Sequence, residues 1–347
     1  MTREYAVQLA VNEANEGMVF GKLPFKLKFL AEDDGGSATQ SPTAAAALIN
    51  NSSVVAVVGP AFSGATAAAE PAFSGANLAT VSPSATAPKL ATENWKNFFR
   101  VVADDNAQGP ADALYVAKVL KAKAVFSVDD ASTYAVGLVS AFDSAATTDK
   151  LKLTHQEAPG TTQCQAGTGD VSEYPALATQ IQSSGAKVVF YAGYYCDFAL
   201  LTKALRTEGY TGQLMSDDGS LDPHYISDAG SSDASKAIMS CACADLSKVA
   251  AAKAFFKSFQ KLAKFPVGTY SAEAFDAANT IISVMKKIGA NVTRSSVVKG
   301  LHTVKYQGIT KLVKFQSNGD ISGTAVYVYQ VKGTKIVQLG LVSTLAK

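Results

Sequence analysis

Two stretches of the sequence place small polar residues directly after predicted buried strands, where they can bind an anion. GPAFSGAT (59–66) follows the apolar run VVAVV, and VSPSATAP (81–88) spans the end of the next predicted strand. The hydroxyls of Ser63 and Thr86 and the amides beside them are hydrogen-bond donors, and such donors suffice to bind a carboxylate. The alternative for both stretches is an ordinary capped turn at the start of a helix.

An acidic pair after a later strand offers the opposite charge. Asp217 and Asp218 directly follow the predicted strand GQLMS. A carboxylate at a strand end can pair with an ammonium group, so the two kinds of site together predict a receptor for a zwitterion. Solvated loop acids or a helix cap are the alternative. The aromatic residues that would line the apolar part of the site, unless they serve only in packing, are Phe62, Tyr134, Tyr194 and Phe275.

The elements that must position these residues alternate along the whole chain. Short apolar strands, among them FKLKFLAED (25–33) and KVVFYAGYY (187–195), are separated by helical stretches, a pattern typical of βαβ units and parallel sheets. Because 347 residues exceed what one core usually supports, we expect two doubly wound α/β lobes. Ligands of such sheets bind beyond the carboxyl ends of the strands, where the polar stretches lie.

Charge and hydropathy exclude several classes of protein. The formal charge of +2 arises from 31 basic and 29 acidic residues that are interspersed, which argues against a nucleic-acid partner. No apolar run approaches the roughly 18 residues that span a bilayer. The first residues, MTREYAVQLAVNEANE, lack the pattern of a secretory signal, so a signal has been removed or was never there.

The four cysteines leave two interpretations open. They include no CxxC motif and have no histidine at ligand spacing, so we expect no metal site. They are either small buried hydrophobic residues or one or two disulfides of an exported protein. Cys164 and Cys196 are the first pair to test, while a bridge between Cys241 and Cys243 would close a very small ring.

The motifs of an enzyme are absent from the sequence. Ser63 lacks the G-x-S-x-G elbow of a nucleophile, and the histidines lie in stretches with no catalytic signature. No GxxxxGK[ST] or GxGxxG motif occurs, so neither phosphate chemistry nor a dinucleotide cofactor is indicated. We therefore predict a binding protein without a cofactor and not an enzyme.

An ordered series of motifs resembles one family over nearly the whole chain. GPAFSGATAAAEPAFSGANLATVSPSATAPKL, FRVVADDNAQGPADALYVAKVL, AKVVFYAGYYCDFALLTKALRTEGY, LMSDDGSLD and GTYSAEAFDAAN are similar to stretches of the periplasmic branched-chain amino acid (leucine/isoleucine/valine) binding proteins. These are type I solute-binding proteins of ABC importers. The CAC pattern and the lysine- and alanine-rich helices resemble the actinobacterial branch. The resemblance implies two lobes with a hinge cleft.

The resemblance also implies roles for individual residues. Ser63 and Thr86 match the positions that bind the ligand's α-carboxylate, and Ala85, Thr86 and Asp218 match those that bind the α-ammonium group. Tyr134 and Tyr194 match tyrosines of the second lobe. The family often has glutamate where this chain has Asp218, which suggests a changed reach or a different ligand.

The sequence departs from the family at its beginning. Family members start with a strand and a glycine-rich loop ahead of the helix that here begins at Thr2. The final KIVQLGLVSTLAK resembles such a strand, so either the chain is permuted and its end completes the first sheet, or this is the ordinary C-terminus. We expect the first lobe to comprise residues 1–103 and 244–315, with its first strand missing or supplied by the C-terminus, and the second lobe residues 104–243 and 316–347.

The implied function is the capture of an amino acid, branched-chain or otherwise apolar, by hinge closure and its delivery to a membrane ABC permease. We expect an extracytoplasmic monomer whose signal peptide has been removed, with a lipid anchor on the precursor as one option. The alternative is a sensor or receptor domain of the same fold that binds an amide or urea.

Overall fold

The computed structural model describes residues 2–158, 160, 164 and 173–347. The chain forms two compact units: unit 1 consists of Met1–Ala103 and Asp245–Gly323, and unit 2 of Asp104–Ala244 and Thr324–Lys347. The chain passes from unit 1 to unit 2 for the last time after Gly323, which is later than the predicted lobe boundary after residue 315. Residues 316–323 belong to unit 1 because Asp320 Oδ1 accepts a hydrogen bond from Arg100 Nε at 2.6 Å and the Gly319 carbonyl accepts one from the Arg100 N–H at 3.1 Å.

Helices and strands are numbered along the chain. The helices are α1 (Thr2–Asn15), α2 (Ser41–Asn50), α3 (Ser63–Gly75), α4 (Asp105–Lys118), α5 (Thr133–Thr148), α6 (Glu173–Ser184), α7 (Tyr195–Thr207), α8 (His224–Ala229), α9 (Lys253–Ala263), α10 (Ser271–Ile288), α11 (Arg294–Leu301) and α12 (Val342–Leu345). The strands are β1 (Ala56–Val58), β2 (Ala79–Ser82), β3 (Phe98–Arg100), β4 (Ala124–Asp129), β5 (Lys152–Glu157), β6 (Val188–Ala192), β7 (Gln213–Ser216), β8 (Ile238–Cys241), β9 (Tyr306–Gln307), β10 (Leu312–Val313), β11 (Tyr327–Lys332) and β12 (Lys335–Leu341). Short 3₁₀ helices cover Pro88–Ala91, Asp218–Ser220 and Ala250–Ala252.

Unit 1 is built on a short parallel sheet in the order β1-β2-β3. Val81 and Phe99 from this sheet pack with Ala277 and Ile281 of α10 and with Val297 of α11 in the main core of the unit. Strand β1 ends at the Gly-Pro turn because Gly59 has φ +126°, which side chains rarely allow, and the following proline has no N–H to donate. The turn leads directly into α3.

The predicted strand FKLKFLAED is not formed. Residues 26–34 have no regular secondary structure, and β2 is the one strand that β1 pairs with among the described residues. The segment is held instead by Asn15, whose side chain exchanges two hydrogen bonds with the backbone of Leu27 at 2.8 and 2.9 Å. Alternating apolar residues favour a strand only where a neighbouring strand provides hydrogen-bond partners.

Unit 2 contains a seven-stranded sheet in the order β12-β11-β8-β7-β6-β4-β5. The five strands from β8 to β5 are parallel, and β11 and β12 form an antiparallel hairpin at one edge. All five residues of β6 are buried, as expected for a central strand with both faces covered. The C-terminal strand therefore belongs to this sheet, and the alternative in which the end of the chain completes the sheet of unit 1 is wrong. A two-residue turn after Lys332 pairs it with β11 locally.

A buried acid lies between α3 and the sheet of unit 1. The Glu70 carboxyl accepts hydrogen bonds from Thr80 Oγ1 at 3.0 Å and from Asn97 Nδ2 at 2.5 Å. Burial raises the pKa of Glu70 to about 8, and these two hydrogen bonds only partly oppose the shift. The folded protein therefore keeps a proton on Glu70 at neutral pH that the unfolded chain releases.

Replacing Glu70 with glutamine is expected to flatten the dependence of stability on pH. The contribution of the protonated carboxyl is fully present below about pH 4.5 and is lost as the pH rises towards about 8, by up to roughly 1.4 kcal/mol per pH unit. Glu70→Gln keeps the neutral hydrogen-bonding shape and has no proton to lose. Urea unfolding at several pH values between 5 and 8 measures the slope; the exposed substitution Glu93→Gln is the control. Equal slopes for wild type and Glu70→Gln would refute the assignment.

Candidate functional site

Ser63 begins helix α3 without serving as its cap. The N-cap residue is Phe62, whose side chain accepts no hydrogen bond, and Ser63 is the first helical residue. The Ser63 hydroxyl instead accepts a hydrogen bond from the Ala87 N–H at 3.2 Å. The alternative in which Ser63 is an N-cap is therefore wrong. An N-terminus without a side-chain cap offers amide donors to an anion.

The loop after β2 is tied to the Gly-Pro turn by two serines. Ser82 Oγ donates to the Pro60 carbonyl at 2.6 Å and accepts from the Ala85 N–H at 3.0 Å. Ser84 Oγ donates to the Ala61 carbonyl at 2.7 Å. These bonds and the one between Ala87 and Ser63 hold the two predicted anion-binding stretches side by side in unit 1.

Thr86 and Ala85 have different environments within this loop. The Thr86 hydroxyl is fully buried and has no hydrogen-bond partner among the described residues. The Ala85 carbonyl accepts from Arg100 Nη1 at 3.2 Å, and the same nitrogen donates to the Ala87 carbonyl at 2.9 Å. The Ala85 carbonyl, which the resemblance assigns to the ammonium group, therefore already accepts a hydrogen bond within the protein.

The second set of predicted residues lies together in unit 2. Asp217 is the cap of the 3₁₀ helix after β7, where its side chain accepts from the Gly219 N–H at 3.0 Å. Asp218, the next residue, accepts hydrogen bonds on Oδ1 from Tyr134 Oη at 2.7 Å and from Gln108 Nε2 at 2.8 Å. Both of these donors are neutral, so they orient the carboxylate without cancelling its charge.

The two predicted tyrosines are neighbours. Tyr194 is the N-cap residue of α7, and its ring centroid lies 5.7 Å from that of Tyr134. Both side chains are buried. The structure thus brings Tyr134, Tyr194 and Asp218 together in unit 2, as it brings Ser63, Ala85 and Thr86 together in unit 1.

The buried acids next to Asp218 have raised pKa values. Burial is the largest cause that raises the pKa of Asp217 well above its ordinary value, and the charge of Asp218 raises it further. The pKa of the fully buried Asp112 is raised in the same direction, again mainly by burial. A cation near Asp218 would relieve this repulsion.

The predicted phenylalanines have contacts of their own. The Arg3 guanidinium lies over the ring of Phe62, 5.4 Å from its centroid. Phe275 is buried on α10, with its ring 5.0 Å from that of Phe255. Their contact with a ligand therefore stays a prediction.

All four cysteines are paired. Disulfides join Cys164 to Cys196, with 5.5 Å between the Cα atoms, and Cys241 to Cys243, with 5.0 Å. The alternative of four unpaired thiols is wrong. Among the residues that the structure describes, no group of three His, Cys, Asp or Glu side chains is arranged to hold a metal ion. None of the described helices combines the length and apolar character of a membrane span.

Sequence reasoning missed two residues that hold the site in place. Arg100 donates hydrogen bonds to the carbonyls of the Thr86 loop. Gln108 donates to Asp218, which lies 110 positions later in the sequence. A buried arginine at a strand end and a glutamine on the buried face of a helix were the available clues. Neither clue identifies its partner, because the partners are distant in sequence.

Comparisons with known proteins identify the family to which this chain is similar. A family model for periplasmic binding proteins matches residues 2–335. An amino acid binding protein of Pseudomonas aeruginosa is 27% identical over 310 residues, 89% of this chain and 80% of that protein. A Leu/Ile/Val-binding protein homolog of Brucella melitensis is 26% identical over 284 residues, 82% of this chain and 74% of that protein. These organisms do not support the actinobacterial resemblance.

A solved structure shows the same fold. The branched-chain amino acid transporter substrate binding protein LivJ of Streptococcus pneumoniae, solved in complex with isoleucine, superposes with a TM-score of 0.84 at 24% identity. The match covers 98% of this chain and 94% of that one. It confirms the predicted α/β fold with two parallel-sheet lobes.

The unpartnered Thr86 hydroxyl gives a stability test that needs no ligand. Thr86→Val removes a buried hydroxyl that bonds nothing in the described residues, so the free energy of unfolding should stay unchanged or rise by up to about 1 kcal/mol. Ser82→Ala removes a hydroxyl that bonds the Pro60 carbonyl and the Ser84 and Ala85 amides, and it should cost about 1–3 kcal/mol. Urea unfolding of the ligand-free protein compares them. A loss for Thr86→Val as large as that for Ser82→Ala would show that Thr86 is a structural residue.

Proposed function

Because the chain belongs to the periplasmic binding protein family, we propose that it is the solute-binding protein of an ABC importer and that its solute is an amino acid with a branched or other apolar side chain. The family assignment makes it a binding protein and not an enzyme. The amino acid names of the relatives from Pseudomonas and Brucella support the class of solute. The bound isoleucine of the Streptococcus structure supports it further.

The observation that carries the proposal is the chemistry of the two residue groups. Unit 1 presents neutral donors from Ser63, Thr86 and the first turn of α3, and unit 2 presents the carboxylate of Asp218 among other acids. A small zwitterion has the charges that match both groups. A neutral amide has no positive charge to pair with the carboxylate of Asp218.

The carboxylate of the amino acid would bind to unit 1. The Thr86 hydroxyl has no partner to give up, and the Ser63 hydroxyl accepts from Ala87 and so keeps its own proton for donation. Hydrogen bonds to a charged acceptor are the stronger kind, and the helix N-terminus adds a favourable field. No arginine is needed for such a contact.

The ammonium group would bind to Asp218. The Asp218 carboxylate accepts hydrogen bonds from Gln108 and Tyr134, and its negative charge would pair with the positive ammonium group. The rings of Tyr134 and Tyr194 would contact the apolar side chain, together with Phe62 and Phe275. An aspartate is one methylene shorter than the glutamate common in the family, which favours a ligand placed close to β7.

Capture would proceed by hinge closure. The amino acid would bind first to unit 1, and unit 2 would then close on it and remove water from the ion pair, which strengthens the pair. A membrane permease would recognise the closed form. We place the protein outside the cytoplasm, in agreement with its two disulfides, and expect it to act as a monomer.

Titration calorimetry against the amino acids and short amides tests the choice of ligand. Leucine, isoleucine or valine should bind the wild-type protein, and Asp218→Asn should weaken that binding by at least roughly 2 kcal/mol because it removes the charge that pairs with the ammonium group. Asp245→Asn, an acid of unit 1, is the control. Heat with amides alone would favour the alternative sensor function, and unchanged leucine binding by Asp218→Asn would refute the ammonium assignment.

Small-angle X-ray scattering tests closure separately. Saturating ligand should lower the radius of gyration of the wild-type protein, because closure makes the particle more compact. Thr86→Val should need more ligand for the same change, as it lacks one donor to the carboxylate. Full binding by calorimetry with no change in the scattering curve would contradict hinge closure.

A further inference from the structure

A continuous series of hydrogen bonds connects Asp218 to a second buried acid within unit 2. Gln108 Nε2 donates to Asp218 Oδ1 at 2.8 Å and to Ser240 Oγ at 3.0 Å. Ser240 Oγ donates in turn to Asp112 Oδ2 at 2.9 Å. Gln108, Ser240 and Asp112 are all fully buried. Nothing in the predicted ligand contacts uses Asp112.

We propose that Asp112 is a positioning residue of the ammonium site, which acts through Ser240 and Gln108 to keep the amide nitrogen of Gln108 directed at Asp218. The inference rests on the proposed function, because it concerns the same site. It assigns a role to an acid that does not touch the ligand.

The direction of the hydrogen bonds carries the argument. A serine hydroxyl has one proton to donate, and Ser240 donates it to Asp112. Ser240 can therefore only accept from Gln108, and the NH₂ group is the only donor of that side chain. The orientation of the Gln108 amide that donates to Ser240 is also the one that donates to Asp218.

Without Asp112 the opposite orientation becomes available. The Ser240 proton would then be free to bond Gln108 Oε1 once the amide turns over. The same rotation would move Nε2 away from Asp218 and bring an acceptor towards its carboxylate. Two acceptors without a proton between them repel each other, so the carboxylate would lose the hydrogen bond that Gln108 donates.

Two further buried atoms support the same role. Gln108 Oε1 and Asp112 Oδ1 have no hydrogen-bond donor among the described residues. Their residues are four positions apart on α4, so the side chains are neighbours on one face. A proton on Asp112 Oδ1 lets it donate to Gln108 Oε1, which satisfies both atoms and fixes the amide at its other end.

The surroundings of Asp112 favour that proton. Burial raises the pKa of Asp112 well above its ordinary value, the hydrogen bond from Ser240 opposes the shift, and the charges of Asp218 and Asp105 add to it. A neutral Asp112 can accept from Ser240 and donate to Gln108 at the same time. It contributes geometry and no charge.

Two substitutions of Asp112 separate geometry from charge. Asp112→Asn can accept from Ser240 and donate to Gln108, so it should bind leucine within about twofold of wild type. Asp112→Leu can do neither and should bind leucine at least roughly tenfold more weakly, which is the scale of one lost hydrogen bond to a charged group. The matched control is Thr202→Val, which removes a buried hydroxyl of unit 2 that contacts Tyr225 at 3.0 Å.

A second ligand distinguishes positioning from damage to the fold. The compound 4-methylpentanoate is leucine without its ammonium group, so its binding does not use Asp218. Asp112→Leu should leave its affinity within about threefold of wild type, whereas general damage would weaken both ligands by the same factor. Equal weakening of both, or equal leucine binding by Asp112→Asn and Asp112→Leu, would overturn the proposal.

Nuclear magnetic resonance tests the positioning even if leucine is not the ligand. The Gln108 side-chain NH₂ signals, assigned by their absence from Gln108→Leu, should exchange slowly with water in wild type and in Asp112→Asn. They should exchange faster or shift in Asp112→Leu. If no amino acid binds but this pattern holds, the proposed function fails and the role of Asp112 in the orientation of Gln108 stands. Unchanged signals in Asp112→Leu would overturn that role.

Discussion

The buried carboxylate of Asp218 is the feature on which the arrangement of unit 2 depends. Asp218 is almost fully buried and accepts hydrogen bonds from the neutral groups of Gln108 and Tyr134. Such donors reduce the cost of desolvation but leave the negative charge in place. Burial raises the pKa values of the neighbouring Asp112 and Asp217, which favours their protonated forms beside Asp218.

Unit 1 offers an anion the dipoles of hydroxyl and amide groups. Its one fully buried cation, among the described residues, is Arg100, which pairs with Asp320 through Nε and donates from Nη1 to the Ala85 and Ala87 carbonyls. These hydrogen bonds from the guanidinium hold the Thr86 loop in place. The groups left for a ligand are hydroxyls and helix-end amides, which bind an anion without a fixed counter-charge.

The sequence predicts the elements better than their pairing. The alternation of apolar strands and helical stretches indicated the α/β class, and Ser63 and Asp218 stand at strand ends where their polar types were conspicuous. The segment FKLKFLAED alternates apolar and polar residues as a strand does, but it forms no strand. Such alternation indicates which side chains could be buried and does not show whether a neighbouring strand is present to pair with. The C-terminal strand β12 lies in the sheet of unit 2 because a short turn places it directly beside β11. A strand of unit 1 would be a partner far away in sequence. Arg100 and Asp320, separated by 220 positions, show why supporting contacts escape local reasoning.

Strand β1 has a physical consequence beyond the site. It has three residues, is partly buried, and pairs with β2 alone among the described residues, so one of its sides has no strand partner there. Such an edge can recruit a strand from another molecule and begin aggregation. With three residues it offers too short a template for stable pairing, and the glycine and proline that follow cannot extend it. The same turn that presents Ser63 therefore also protects the protein against intermolecular sheet growth.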